Sequence, residues 1–304
     1  MAARDPIEDL RQIAFLLERA HEATYRVRAF RGAAGALAAL EPDELVERMA
    51  AGTVTELPGV GEVTARCVAE SLAGQEPVYL RRLLDTAGTD VDASTAELRQ
   101  ALRGDCHSHS DWSDGGSPIE EMALAAAQLG HEYLVLTDHS PRLTVARGLS
   151  ADRLREQLDI VAALNARLAT LAAEGAMAPF RLLTGIEVDI LADGSLDQTD
   201  ELLTRLDVVV GSVHSKLRDE SAVMTRRMVT ALANPHLDIL GHCTGRLVTA
   251  GPAGAGRSAS RQKRPESTFD AEAVFGVAAE HDKAIEINSR PERLDPPKRL
   301  LRLA

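Results

Sequence analysis

Seven residues of metal-ligating type are spaced along the chain so that a suitable fold would bring them together. His107 and His109 flank Ser108, and at that i, i+2 spacing on an extended strand both imidazoles leave the same face and can grip one metal. Asp114 follows in Ser113-Asp114-Gly115. His139, Glu187, His214 and His242 each stand just past an apolar run that reads as a strand. In parallel α/β folds the C-terminal ends of successive strands converge on one site. The set is therefore predicted to form a metal centre, whereas His21, His131, His236 and His281 fall in helical or helix-edge contexts and are read as structural.

The elements that must position these residues are legible as short apolar runs alternating with amphipathic stretches. Strands are predicted at Tyr133–Thr137, Arg181–Val188, Val208–Val213, Ile239–Gly241 and Ala284–Asn288. Helices are predicted at Ile119–Leu129, Ala151–Glu174, Leu196–Leu203, Ala222–Leu232 and Ala271–His281, an alternation that argues for parallel βαβ units. Residues 249–267, rich in Gly, Ser and Arg, read as a loop. The region before about Gly74 differs, with helices only: Ile7, Leu10, Ile13, Ala14 and Leu17 recur at helical spacing, and Tyr25 to Leu40 is a second amphipathic stretch. There Leu57-Pro58-Gly59-Val60-Gly61-Glu62-Val63 sets two glycines in a tight turn before a helix, which aims backbone N–H groups at a phosphate. The expected domains are a helical one over 1–85, a linker over 86–103 and an α/β one over 104–304.

Whole-chain properties bound the partners. The 304 residues carry a net charge of -12 and 3 % aromatics, which argues against a general polyanion-binding surface and against stacking platforms for bases. Residues 1–100 hold 11 Arg, no Lys and 17 Asp plus Glu, so contact with nucleic acid in this half would be local, weak and salt-sensitive, resting on Arg26, Arg28 and Arg31 with the amides of Gly59, Val60, Gly61, Glu62 and Val63. Cys67, Cys106 and Cys243 are isolated and read as reduced thiols. No apolar run is long enough for a membrane helix and no signal peptide is evident, so a cytoplasmic location is expected.

From Cys106 to about Leu294 the chain resembles the PHP domain, the polymerase-and-histidinol-phosphatase superfamily of metal-dependent hydrolases, and especially the version in bacterial family-X DNA polymerases. The matching motifs are His107-Ser-His109 with Ser-Asp114-Gly, Thr-Asp138-His139-Ser, Gly-Ile-Glu187-Val-Asp, Ser-Val-His214-Ser, Gly-His242-Cys-Thr-Gly-Arg246-Leu and Glu286-Ile-Asn288-Ser-Arg-Pro-Glu-Arg293-Leu-Asp295. Residues 7 to 77 resemble the small helix-hairpin-helix domain that begins those polymerases. The implied architecture is a distorted (β/α)7 TIM-like barrel preceded by a small all-α domain. The implied site is a trinuclear cluster in which His107, His109 and Glu187 serve one metal, Glu187, His214 and His242 a second, and Asp114 and His139 a third.

Zn or Mn suits such mixed imidazole and carboxylate ligation, with Fe a further candidate, and a metal-bound hydroxide is the implied nucleophile. Asp138 is expected to orient an imidazole, and Arg246 and Arg293 to contact phosphate. The family pattern closes on an Asp-x-His pair that this sequence lacks, which leaves two metal sites short of a ligand, so the expectation is a truncated form or, as the alternative, a reduced site in which only the Glu187, His214 and His242 metal is fully ligated. No polymerase palm separates the two regions, and no lysine precedes Lys216 to serve the lyase chemistry of some relatives of the small domain. The preferred expectation is a metal-dependent phosphoesterase acting on DNA ends, as a 3′–5′ exonuclease or 3′-phosphatase in repair. The alternatives are a small-molecule phosphatase of the histidinol-phosphate type and a non-catalytic DNA-end binding module.

Overall fold

A computed structural model describes residues 4–20, 22–86, 93–248 and 263–304, which divide into two compact units on either side of residues 87–92. The expectations for His21, for residues 87–92 of the linker and for residues 249–262 of the Gly/Ser/Arg-rich loop lie outside the described residues.

The first unit contains five α-helices among its described residues, α1 (Pro6–Arg19), α2 (Thr24–Ala38), α3 (Pro42–Ala51), α4 (Glu62–Leu72) and α5 (Val78–Thr86), with a 3-10 turn at Val54–Glu56. Helix α1 starts where Asp5 caps the Ile7 amide at 2.8 Å and Pro6 supplies a pre-set φ at the first helical position. Its apolar stripe of Leu10, Ile13, Ala14 and Leu17 is buried with Phe30 and Leu37 of α2, Val68 of α4 and Leu80 of α5. The Leu57–Gly61 hairpin turn requires glycine at position 59. Its φ is +88°, and a Cβ there would stand 3.3 Å from the carbonyl carbon and oxygen of Gly32. Thr64 then returns its hydroxyl to the Gly61 amide at 2.9 Å and opens α4.

The second unit is a parallel sheet whose six strands are ordered as in the chain: β1 (Gly104–Ser108), β2 (Tyr133–Leu136), β3 (Arg181–Asp189), β4 (Val208–Ser212), β5 (Ile239–Leu240) and β6 (Ala284–Ile285). The crossovers carry α7 (Ile119–Gln128), α8 (Ala151–Ala173), α9 (Asp200–Leu203), α10 (Ser221–Leu232) and α11 (Ala271–Glu280), with α6 (Ala93–Ala101) before β1 and α12 (Lys298–Leu301) after β6. Strand residues such as Val135, Leu182, Ile186, Val188 and Val210 are fully buried, as expected of a parallel sheet covered by helices. This is the expected distorted TIM-like barrel, with six of its strands among the described residues. The sheet curls until His107 on β1 and Glu286 after β6 are hydrogen-bonded at 2.8 Å.

Three expectations change. Part of the predicted linker is helix α6, whose Ala93, Ala96, Leu98 and Ala101 include strong helix formers. The helix predicted over Leu196–Leu203 is only Asp200–Leu203, because Leu196 pairs with Ile190 and the Asp197 carboxylate takes the amides of Asp189 at 2.8 Å and Arg142 at 3.0 Å, pulling this segment onto the end of β3. The last predicted strand stops at Ile285, and Asn288 instead forms an antiparallel bridge with Asp295.

Two loops that leave the sheet beside the predicted site are fastened by one fully buried cation. Arg227 of α10 donates to the carbonyl oxygens of Ile190 and Leu191, after β3, and of Ser215, after β4. A buried guanidinium satisfied by carbonyls leaves several acceptors stranded when it is removed. Arg227→Met is expected to destabilise the fold by on the order of 3 kcal/mol, read as a lowered midpoint of urea unfolding followed by circular dichroism.

Candidate metal centre

Each strand delivers one side chain to the same end of the sheet. His107 lies within β1, His139 just beyond β2, Glu187 within β3, His214 and His242 just beyond β4 and β5, and Glu286 directly after β6. Glu187 is the centre of the group, 1 % exposed, and its two oxygens divide the imidazoles between them. Oε1 faces Nε2 of His107 at 3.3 Å, of His214 at 3.3 Å and of His242 at 2.9 Å. Oε2 faces Nε2 of His109 at 3.5 Å and Nδ1 of His139 at 2.8 Å. The rings of His107 and His109 both turn toward Glu187, with centroids 5.2 Å apart.

Asp114 approaches from the rim, its Oδ1 3.7 Å from Nδ1 of His109 and 3.6 Å from Nε2 of His139. The turn that carries it needs glycine at 115, where a Cβ would come 2.3 Å from the carbonyl oxygen of His109. Three overlapping groups offer ligand atoms within one ion's reach: His107, His109 and Glu187; His109, Asp114 and His139; and His139, Glu187 and His214. The first coincides with a set implied by the resemblance. In the other two, His109 joins Asp114 and His139, and His139 rather than His242 completes the group with His214.

The charges are strongly coupled. Burial opposes a proton on His107, but the carboxylates of Glu187 and Glu286 outweigh it and lift its pKa to about 10. Burial likewise opposes, and Asp189 and Glu187 overcome it, at His214, lifted to about 9. At His109 burial wins, with His139 and His107 adding repulsion, and the pKa falls to about 4. His242 is also pushed down, chiefly by burial. Burial would raise Glu187, yet the surrounding imidazoles hold it well below the usual carboxylate range.

Even so, both Glu187 oxygens, Nδ1 of His109, His139 and His242, and both ring nitrogens of His214 are buried without a hydrogen-bond partner. So many orphaned polar atoms at one point, on imidazole nitrogens and carboxylate oxygens, fit a bound cation better than a closed hydrogen-bond network.

Asp138 does not orient an imidazole. Fully buried, it accepts from the Ser110 amide at 2.8 Å, the Ser110 and Ser113 hydroxyls at 2.6 and 2.5 Å, and Gln157 Nε2 at 2.7 Å, so it shapes the turn that leads to Asp114. Arg246 is not turned to phosphate either. Its guanidinium holds the carbonyl oxygens of Arg293, at 3.0 Å, and Leu294, and pairs with Glu266 at 3.3 Å. These contacts present Arg293, whose Nη1 is buried without a partner and whose charge is felt by Glu187 and His242.

Two carboxylates escaped the sequence reading as site residues. Asp189 accepts the His214 amide at 3.2 Å and stands 3.4 Å from its Nδ1, while Glu286 holds Nδ1 of His107. Asp189 was signalled by its i, i+2 relation to Glu187, and Glu286 by standing, like the ligands, at the end of an apolar run.

The helical unit is less open than its arginines imply. Arg26 pairs with Glu22 at 2.7 Å and donates to the Tyr79 hydroxyl at 3.0 Å, and Arg31 pairs with Glu18, leaving Arg28 exposed. At the hairpin the Val60 and Gly61 amides are bonded to Leu57 and Thr64, whereas those of Glu62 and Val63 open α4 and have no carbonyl partner within the helix.

Comparison with known proteins agrees with this geometry. Residues 105–290 match the family described as "PHP domain", and residues 1–76 match "Helix-hairpin-helix domain". The "DNA polymerase/3'-5' exonuclease PolX" of Bacillus subtilis (strain 168) is 41 % identical over 199 residues, 66 % of this chain and 31 % of that protein. A "Probable phosphatase" of Thermoanaerobacter sp. (strain X514) is 28 % identical over 194 residues, 61 % of this chain and 64 % of that protein, and one of Photobacterium profundum is 25 % identical over 189 residues, 61 % of this chain and 63 % of that protein. The chain thus spans less than two thirds of the length of each of these relatives. No polymerase palm lies between the two matched regions. With its ligand-type residues at the ends of successive parallel strands and more than half its length matched, this chain belongs to the PHP domain family, behind a helix-hairpin-helix region.

Proposed function

We propose that this chain is a metal-dependent phosphoesterase whose substrate is a DNA end, as a 3′–5′ exonuclease or 3′-phosphatase. The observation that carries the reading is Glu187, a buried carboxylate ringed by five imidazoles with both oxygens unpartnered. Support for DNA comes from the helix-hairpin-helix region and from the name of the Bacillus relative. The residues that would hold Zn or Mn are His107, His109, Asp114, His139, Glu187, His214 and His242. Such ions supply Lewis acidity and lower the pKa of bound water.

The protein's own part is to orient and to neutralise. Arg293 offers its unpartnered Nη1 to a phosphoryl oxygen, Glu286 fixes the ring of His107, and Asp189 holds the backbone amide of His214. The Glu62 and Val63 amides with Arg28 take a backbone phosphate elsewhere on the strand. A second reading, hydrolysis of a small phosphate ester, is favoured by the relatives named as phosphatases.

Elemental analysis of the purified chain is expected to find two or three ions per molecule, with Mn-stimulated hydrolysis of p-nitrophenyl phosphate. His214→Ala should lower kcat/KM by on the order of 100-fold, and Arg293→Ala by a similar factor. Single-stranded DNA should inhibit that hydrolysis at low salt and less so in Arg28→Glu. Hydrolysis that DNA leaves untouched selects the small-ester reading, and absence of both metal and hydrolysis refutes either.

The histidine pKa values fix a second expectation. In the metal-free chain His107 and His214, raised to about 10 and about 9, each hold a proton at neutral pH that a metal must displace. Metal titration in weakly buffered solution at neutral pH should therefore release protons, and affinity should climb with pH through that range. Being raised above the ordinary 6.5, these two groups stabilise the metal-free fold fully below that pH and lose their contribution as pH rises toward 9 and 10. His109 and His242, pushed down by burial, act in the opposite sense. Apparent metal affinity that stays flat above pH 7, measured by competition with a chromophoric chelator, would contradict this account.

A further inference from the structure

Strands β1 and β6 bound the metal centre at opposite edges of the sheet and are not hydrogen-bonded neighbours. A side chain spans the gap between them. Glu286 accepts Nδ1–H of His107, on β1, at 2.8 Å through Oε1, and accepts the backbone N–H of His242, beyond β5, through Oε2. Asn288 donates its Nδ2 to the same Oε1 at 3.0 Å. Donors from three separate segments thus hold one carboxylate whose side chain is 11 % exposed.

We infer that Glu286 is the positioning residue for the ion held by His107. By keeping Nδ1–H it makes Nε2, 3.3 Å from Glu187, the nitrogen that would face the ion, and it clamps the last described strand to the first at the end where the ligands converge. The inference rests on the metal-dependent reading above. Among the five imidazoles facing Glu187, His107 has the tightest outward anchor. Nδ1 of His214 stands 3.4 Å from Asp189, and Nδ1 of His242 has no partner. His107 also belongs to an edge strand whose register with β2 shifts between Asp105 and Ser108, so the ladder fixes its direction poorly and the carboxylate does it instead. Glu286 is absent from the groups whose ligand atoms lie within one ion's reach, and its oxygens already accept from three donors.

The test compares the full chain with its Glu286→Ala and Glu286→Gln variants. Zn2+ and Mn2+ stoichiometry and affinity would be measured by elemental analysis and chelator competition, His107 tautomer by long-range 1H–15N correlation on the Zn-loaded protein, and folding by circular dichroism. In Glu286→Ala one ion should bind about 10- to 100-fold more weakly while the others keep the parent's affinity. His107 should then populate both tautomers, with the fold intact. Glu286→Gln, which keeps an acceptor for Nδ1–H but turns an NH2 toward the His242 amide, should fall between parent and Ala.

Parent-like stoichiometry and affinity in Glu286→Ala overturns the inference. So does equal loss in Ala and Gln, which marks a ligand, and so does loss of every ion together with unfolding, which marks a purely structural contact. A parent that binds metal but hydrolyses no phosphate ester, with the selective loss still present in Glu286→Ala, removes the phosphoesterase reading and leaves this one standing. A parent that takes up no metal removes both.

Discussion

A carboxylate with almost no solvent contact, Glu187, sets the terms for the α/β unit. An isolated charge in such a place would be expensive enough to neutralise itself, so its persistence depends on cations or donors arranged around it. The fold supplies imidazoles, drawn from β1 and from the ends of β2, β4 and β5, and parallel pairing is what allows this many strands to contribute at one point. The surrounding structure is then organised to keep those rings in place. Asp138 shapes the turn after β1, Arg227 fastens the loops after β3 and β4, and Arg246 fastens the segment after β6.

The imidazoles do not respond uniformly. Two are lifted by Glu187 together with Glu286 or Asp189 and two are depressed by burial, so the cluster without an ion is a frustrated mixture of charged and neutral rings. Each buried group left without a partner costs roughly 1–3 kcal/mol, and several such groups meet here. A site of this kind trades stability of the bare protein for readiness to bind, which is the usual relation between a functional centre and the fold that carries it.

What the sequence disclosed and what it hid follow from how side chains are aimed. His139, Glu187, His214 and His242 were legible because a residue at the end of a buried parallel strand has one direction available, toward the convergence point. The helical hairpin was legible from glycines whose conformation no other residue adopts easily, as Gly59 confirms. Asp138 and Arg246 were misread because both lie in loops, where direction is set by tertiary contacts that spacing does not encode: Ser110, Ser113 and Gln157 for one, the 293–294 carbonyls and Glu266 for the other. The Leu196 end of the predicted helix was misjudged for a similar reason, since the Asp197 bridge to β3 overrides a weak helical preference. Glu286 and Asp189 sat in view within quoted motifs, yet their role depends on which nitrogen of a neighbouring ring they face, and that is fixed only in three dimensions.

Exposure rises from the floor of the centre to its rim, from 1 % at the Glu187 side chain through 22 % at His109 to 53 % at Asp114. Access to the centre is therefore graded in depth. An ion held against Glu187 would have to pass the ring that encloses it, whereas one held between Asp114 and His139 would sit at the doorway, in contact with bulk water. Residence times would be graded accordingly, with the inner position the slower to exchange and the rim the part that answers to the metal supply around it.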